Sequence, residues 1–175
     1  MIRRLEEFIS GARHLDPKGF AHEYGEAFLL HHGPIGKLQP PMETTATMAV
    51  EGAGTTPDIP FNPRRDFVVF VVQRLHPATA DDDVIWVGRS EDNDVVVPDA
   101  SVSAVHAFIK QEQGNFLLQD MSSMNGSYIN DQPVVPQGMG PAERLDSGAR
   151  VRLGTVNLTF LEAPEFRNLV NRLAT

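Results

Sequence analysis

Two patterns of apolar residues succeed one another along this 175-residue chain. Ile2, Leu5, Ile9 and Ala12 recur near helical spacing, with Phe8 widening the stripe, and predict an amphipathic helix over Ile2 to His14. Asp16-Pro17 then opens a second predicted helix, with Asp16 as N-cap and Pro17 at the first helical position. Phe20, Tyr24, Ala27 and Phe28 fall on one face of it, and it is expected to end near His31-His32-Gly33-Pro34, giving a small helical hairpin. From Pro34 to Pro63 the periodicity is lost and Pro, Gly, Thr and Met dominate, which reads as a linker or arm.

From Asp66 the pattern changes to short apolar runs between turn signals, as in an all-β sandwich. Phe67 to Val72 is almost continuously apolar, as expected of a strand buried on both faces or at a sandwich core. Strands are predicted at Val84 to Val87, Val95 to Val97, Val105 to Ile109, Phe116 to Leu118, Tyr128-Ile129, Val134-Val135, Val151 to Leu153 and Val156 to Leu161. Gln113-Gly114-Asn115 suits a hairpin turn, and Trp86 is expected to face the core. After Pro164, Phe166, Leu169, Val170 and Leu173 lie on one face of a short helix expected to cap the sandwich. The predicted division is a helical extension (1–33), an arm (34–63), a β-sandwich (64–162) and a C-terminal helix (163–175).

Composition narrows the function classes. The absence of cysteine removes disulfides and thiolate metal sites. A formal charge of −8 argues against a nucleic-acid partner, which needs a basic face. No apolar stretch approaches the ~20 residues that span a bilayer. The first residues, Met1-Ile2-Arg3-Arg4-Leu5-Glu6-Glu7, lack the apolar segment of a secretory signal, so a cytoplasmic location without membrane attachment is the expectation. His31-His32 lacks a thiolate partner, and Asp81-Asp82-Asp83 lacks the spacing of a calcium loop. No metal or other cofactor is expected.

Three polar clusters fall between predicted strands: Gly88-Arg89-Ser90, Ser103-Ala104-Val105-His106 and Asn125-Gly126-Ser127. An arginine offers planar, permanently charged donors to phosphate oxygens. A serine adds a short neutral donor, and an asparagine pairs with peptide amides. Ser103 and His106 lack a third orienting group, so a hydrolase is disfavoured and the chain reads as a binder.

With these clusters, Asn93-Asp94-Val95-Val96-Val97, Leu118-Gln119-Asp120 and Leu145 to Gly154 complete an ordered set of six fragments. Together they resemble the forkhead-associated (FHA) domain, a phosphothreonine-peptide reader, from about Asp66 to Leu161. The resemblance implies an FHA-like sandwich of about 10–11 short strands. It implies ligand contacts from Arg89, Ser90, Ser103, Ala104, Met124 and Asn125, with Gly88, His106 and Gly126 supporting the loops. The implied partner is a phosphothreonine-bearing protein or a Ser/Thr kinase. Ser101 lies two residues off the register of Ser103.

This chain departs from the family pattern at three positions. Met124 stands where Thr or Ser is common, and Ala104 and Val105 stand where polar or basic residues are frequent, while Ser123 lies one residue too early to replace the missing hydroxyl. Glu91, Asp92 and Asp94 add negative charge nearby. Two readings follow: a weakened phosphothreonine adaptor, or an interaction module that works without phosphate. Some FHA proteins carry a phosphothreonine on an arm that occupies their own site. Thr44, Thr45, Thr55 and Thr56 are the equivalent candidates here; Thr44 or Thr45 suits binding in cis, and any of the four suits binding in trans.

Overall fold

The computed structural model describes residues 2–32, 67–75 and 84–174. The arm, with Thr44, Thr45, Thr55 and Thr56, and the triplet Asp81-Asp82-Asp83 lie outside the described residues.

Two sheets face each other. The larger contains β1 (Ile2–Arg4), β2 (Ala27–His32), β3 (Phe67–Val71), β8 (Ser127–Ile129), β9 (Gln132–Pro133), β11 (Arg150–Leu153) and β12 (Val156–Glu162), in the order β1-β3-β2-β12-β11-β8-β9. The smaller contains β4 (Val84–Gly88), β5 (Val95–Val96), β6 (Ala107–Glu112), β7 (Asn115–Asp120) and β10 (Glu143–Leu145), in the order β10-β7-β6-β4-β5. All pairings are antiparallel except β4 with β5. Helices α1 (Glu6–His14), α2 (Pro17–Tyr24) and α3 (Ala163–Leu173) complete the described elements.

The continuous apolar run at β3 has the predicted cause. All five of its residues are buried: Val68 and Phe70 enter the core between the sheets, while Phe67, Val69 and Val71 enter a second core beneath the helices. β2 is divided in the same way, Ala27 and Leu29 to one side and Phe28 and Leu30 to the other. The second predicted helix is therefore too long. It begins as expected, with Asp16 Oδ1 accepting from Gly19 N at 2.7 Å, but stops at Tyr24. Gly25, at φ 115°, turns the chain into β2, and a run that is apolar on both faces carries no periodicity to separate strand from helix. The predicted first helix likewise loses its start, because Ile2–Arg4 pairs with β3 as an edge strand.

The C-terminal helix differs in position. Phe166 and Val170 pack under α1 and α2 against the outer face of the larger sheet, not at an end of the sandwich. Phe166 stacks on Phe28 with centroids 4.1 Å apart and meets Phe8 edge-on at 5.0 Å. Trp86 also corrects the expectation. Strand alternation sends Ile85 and Val87 inward, and half-buried Trp86 instead meets Phe108 edge-on, at 5.7 Å, outside the inter-sheet core. The strand expected at Val134-Val135 is displaced to Gln132–Pro133, and that expected from Val105 begins at Ala107. The hairpin at Gln113-Gly114 has the positive φ values of a primed turn, 51° and 79°.

The register of the large sheet fixes where positions 33–66 are inserted. His32 pairs with Phe67, and His31 pairs with Leu158 near the start of β12. Both ends of the insertion thus lie at the end of the sheet marked by Gly154-Thr155.

Candidate functional site

Three loops meet at that end. The chain after β4 supplies Arg89 to Asp94, the chain between β5 and β6 supplies Asp99 to His106, and the chain between β7 and β8 supplies Met121 to Gly126. Gly88 permits the first contact: a Cβ there would stand 2.3 Å from the Ala104 carbonyl oxygen. The two chains are then laced by Arg89 N donating to Ser103 O at 2.9 Å and Ser90 N donating to Ala104 O at 3.1 Å. Buried Asn93 donates from Nδ2 to Ser90 O at 2.8 Å and Ala104 O at 2.7 Å.

His106 joins the second loop to the third. It is fully buried; its Nδ1 accepts from Ser103 N at 2.9 Å, and its Nε2 lies 3.1 Å from Gly126 O. Because a main-chain N–H can only donate, Nδ1 must be the acceptor and Nε2 carries the proton. The imidazole is therefore neutral, and desolvation by burial holds its pKa below the usual 6.5. Both ring nitrogens are engaged by main chain and neither touches the Ser103 hydroxyl, so the pair has no general base. Gly126, at φ 77°, turns its carbonyl to accept from His106 Nε2 and from Gly154 N at 3.1 Å.

The three principal candidates are brought together. Arg89 Nε donates to Val102 O at 3.1 Å, which aims the guanidinium along the second loop. Its two terminal nitrogens make no hydrogen bond or ion pair to the described residues. Ser103 Oγ accepts from Met124 N at 3.1 Å, leaving the hydroxyl proton available to a ligand. Asn125 Nδ2 donates to Ser101 O at 2.8 Å and leaves Oδ1 as an acceptor. Ser90 Oγ turns to Asp92 Oδ2 at 3.1 Å, whereas Ala104 is exposed beside it. The Met124 side chain is 89 % exposed, and Val105 is 45 % exposed.

The neighbouring acids divide. Asp94 is buried and accepts from Leu75 N and Trp86 N, at 2.8 and 2.9 Å, so it belongs to the scaffold. Glu91 and Asp92 remain exposed beside Arg89. Ser123 is held by Asp120, whose Oδ1 accepts from its hydroxyl at 2.6 Å, and so is turned from the site. Asp120 Oδ1 also accepts from Ser127 Oγ at 2.6 Å and Oδ2 from Ser123 N at 2.9 Å, fixing both ends of the third loop. Ser101 is a structural hub: its Oγ donates to Asp99 Oδ1 at 2.7 Å and accepts from Thr155 N and Oγ1. Asn93, Asp120 and Ser101 were not recognised as loop supports from sequence, although the first two lie in the family-like fragments. Among the described residues no group of three or more His, Cys, Asp or Glu could hold a metal. No helix there is long and apolar enough to cross a membrane.

The FHA domain family model matches residues 85–154, the span that holds all three loops. The oxoglutarate dehydrogenase inhibitor of Corynebacterium diphtheriae is 32% identical over 117 residues, 65% of this chain and 78% of that one. The glycogen accumulation regulator GarA of Mycolicibacterium smegmatis is 36% identical over 78 residues, covering 45% of this chain and 46% of its own. The solved structure of Mycobacterium tuberculosis EmbR in complex with low affinity phosphopeptide is 29% identical, covers 45% of this chain and 20% of that one, and superposes with a TM-score of 0.40. The family model runs through the Gly-Arg-Ser, Ser-x-x-His and Asn-Gly loops described above, and with a relative 32% identical over 78% of its own length the chain belongs to the FHA domain family.

Proposed function

We propose that this chain is a phosphothreonine-peptide-binding adaptor whose partner is a target of, or is itself, a Ser/Thr kinase. The observation that carries the reading is the convergence of a guanidinium whose terminal nitrogens have no partner among the described residues, a hydroxyl with its proton free and an amide oxygen on three cross-laced loops. Arg89 supplies the charge-assisted bonds to phosphate, Ser103 a neutral one, and Asn125 accepts from the ligand main chain. Relatives named as an inhibitor and a regulator suit a chain that acts by occupying a partner. Cytoplasmic location is part of this proposal.

The arm is a candidate ligand within the same reading. Its two anchors, His32 and Phe67, lie at the binding-loop end, and strand spacing places β8 roughly 14–19 Å across the sheet from β2 and β3. Thr44 and Thr45, the candidates in cis, each have more than ten residues of chain back to His32, an extended reach of roughly 35 Å, and any of Thr44, Thr45, Thr55 and Thr56 can serve in trans. A tether of that length raises the effective concentration towards millimolar, enough to fill a weak site in cis, or in trans through a dimer.

A degenerate phosphothreonine-peptide library tests the main reading, with unphosphorylated peptides and Arg89→Ala as controls. Preference for phosphorylated members that Arg89→Ala removes is the expected result. Equal binding of both forms would leave the phosphate-independent interaction module instead. For the arm, phosphorylation should weaken the apparent affinity for a competing phosphopeptide or increase hydrodynamic size.

A further inference from the structure

Among the described residues only four large hydrophobic side chains are exposed: Leu75, Val105, Met124 and Met139. Two of these four flank one hydroxyl. Val105 lies at the tip of the turn closed by Ser103 N donating to His106 Nδ1, and Met124 is joined to the same serine through its own N–H and Ser103 Oγ. Ala104, also exposed, lies between Ser103 and Val105. The turn and the third loop are bolted together by His106, so the three side chains are held on either side of Ser103 by fixed main chain. None is needed there for folding, because the cores are closed by other residues. Arg89 supplies the only cationic side chain on the three loops, and exposed Glu91 and Asp92 follow it on the first loop.

We propose that Val105 and Met124, with Ala104 beside Val105 on the second loop, are the specificity-determining residues of this site and select phosphothreonine peptides with an aliphatic or aromatic residue close to the phosphothreonine. This inference rests on the phosphopeptide reading above. With one guanidinium and few neutral donors, phosphate contributes less than in a site rich in basic residues, and apolar burial supplies the remainder of the affinity. Methionine suits that task, being unbranched, flexible and polarisable, and able to mould to several apolar partners. The exposed carboxylates next to Arg89 penalise acidic flanking residues, so the preferred ligand is apolar and not acidic.

The test is an affinity series on the full chain. A parent phosphothreonine peptide is varied at each flanking position through Leu, Phe, Gln, Asp and Lys and measured by fluorescence anisotropy. The wild type should favour the Leu or Phe member over Gln at one or more positions by about five- to tenfold, the gain from partial burial of one apolar side chain. In the double variant Val105→Ala, Met124→Ala, which adds no donor or charge, the Leu or Phe member should bind no more tightly than the Gln member, whatever the change in overall affinity. Both side chains are exposed, so the double variant should fold, which circular dichroism checks. Persistence of the apolar preference in the double variant, or its absence in the wild type while phosphate dependence holds, overturns this inference alone. Loss of phosphate dependence in the wild type overturns the phosphopeptide reading and this inference with it.

Discussion

Replacing His106 with Gln should weaken both the fold and its dependence on acid. Gln can still donate to Gly126 O through Nε2 but offers no acceptor in place of Nδ1, so Ser103 N–H loses its partner. An orphaned, partly buried amide costs about 1–3 kcal/mol. Asn is the converse control: its Oδ1 can accept from Ser103 N–H while the Gly126 bond is lost. Ala removes both bonds and leaves a void, for a combined loss of roughly 3–5 kcal/mol. The pH dependence follows from the lowered pKa. Folding favours the neutral ring, so its contribution is complete above the unfolded value of 6.5 and is lost as pH falls from there through the lower folded value. Within that window the unfolded chain binds more protons, and the slope approaches about 1.4 kcal/mol per pH unit. Urea unfolding of wild type and His106→Gln between pH 7.5 and pH 5 isolates this group, since the other histidines contribute to both curves. Identical pH slopes for the two proteins, or an alanine variant as stable as wild type, would refute the assignment of His106 as the neutral bolt between the loops.

Arg89→Ala should abolish binding of a phosphothreonine peptide, while the loss of its single bond to Val102 O lowers stability by only about 1 kcal/mol, a small shift in thermal midpoint. Asp120→Ala strands Ser123 N–H and the hydroxyls of Ser123 and Ser127, and should cost about 2–4 kcal/mol by denaturant titration. Its peptide affinity should fall as well, because Met124 and Asn125 lie on the loop it fixes. Phe166→Ala opens the helical core beside Phe8 and Phe28 and should destabilise by about 3–5 kcal/mol. A single unfolding transition observed by both near-ultraviolet and far-ultraviolet circular dichroism would show that the helices and the sandwich melt together; two separate transitions would count against the shared core.

The loops were legible in sequence because their chemistry is local. Gly88 must lack a Cβ to admit the Ala104 carbonyl, and Asn125-Gly126 must turn, so these residues announce themselves in order along the chain. The supports were harder to read. Buried Asn93 and Asp120 have the composition of solvated loop residues, and only their partners distinguish them. β2 was hidden for a different reason: its two apolar faces serve two cores, which erases the alternation that marks a half-buried strand. β10 offered too little signal, with exposed Glu143 and Arg144 ahead of a single buried residue, Leu145.

The placement of β2 also sets an order of events during synthesis. It pairs Phe28 with Leu161 and Leu30 with Thr159, so one of its two edges has no partner until nearly the whole FHA region has left the ribosome. Until then β1, β3 and β2 can pair only among themselves, and β2 and β3 are apolar on both faces. A small sheet with both faces uncovered exposes a template for intermolecular pairing along its open β2 edge. Closure then spans almost the full chain, a slow search by comparison with local hairpins such as β6–β7. The open edge of β2 therefore emerges well before the strand that covers it, and its apolar faces stay exposed until β12 and α3 arrive.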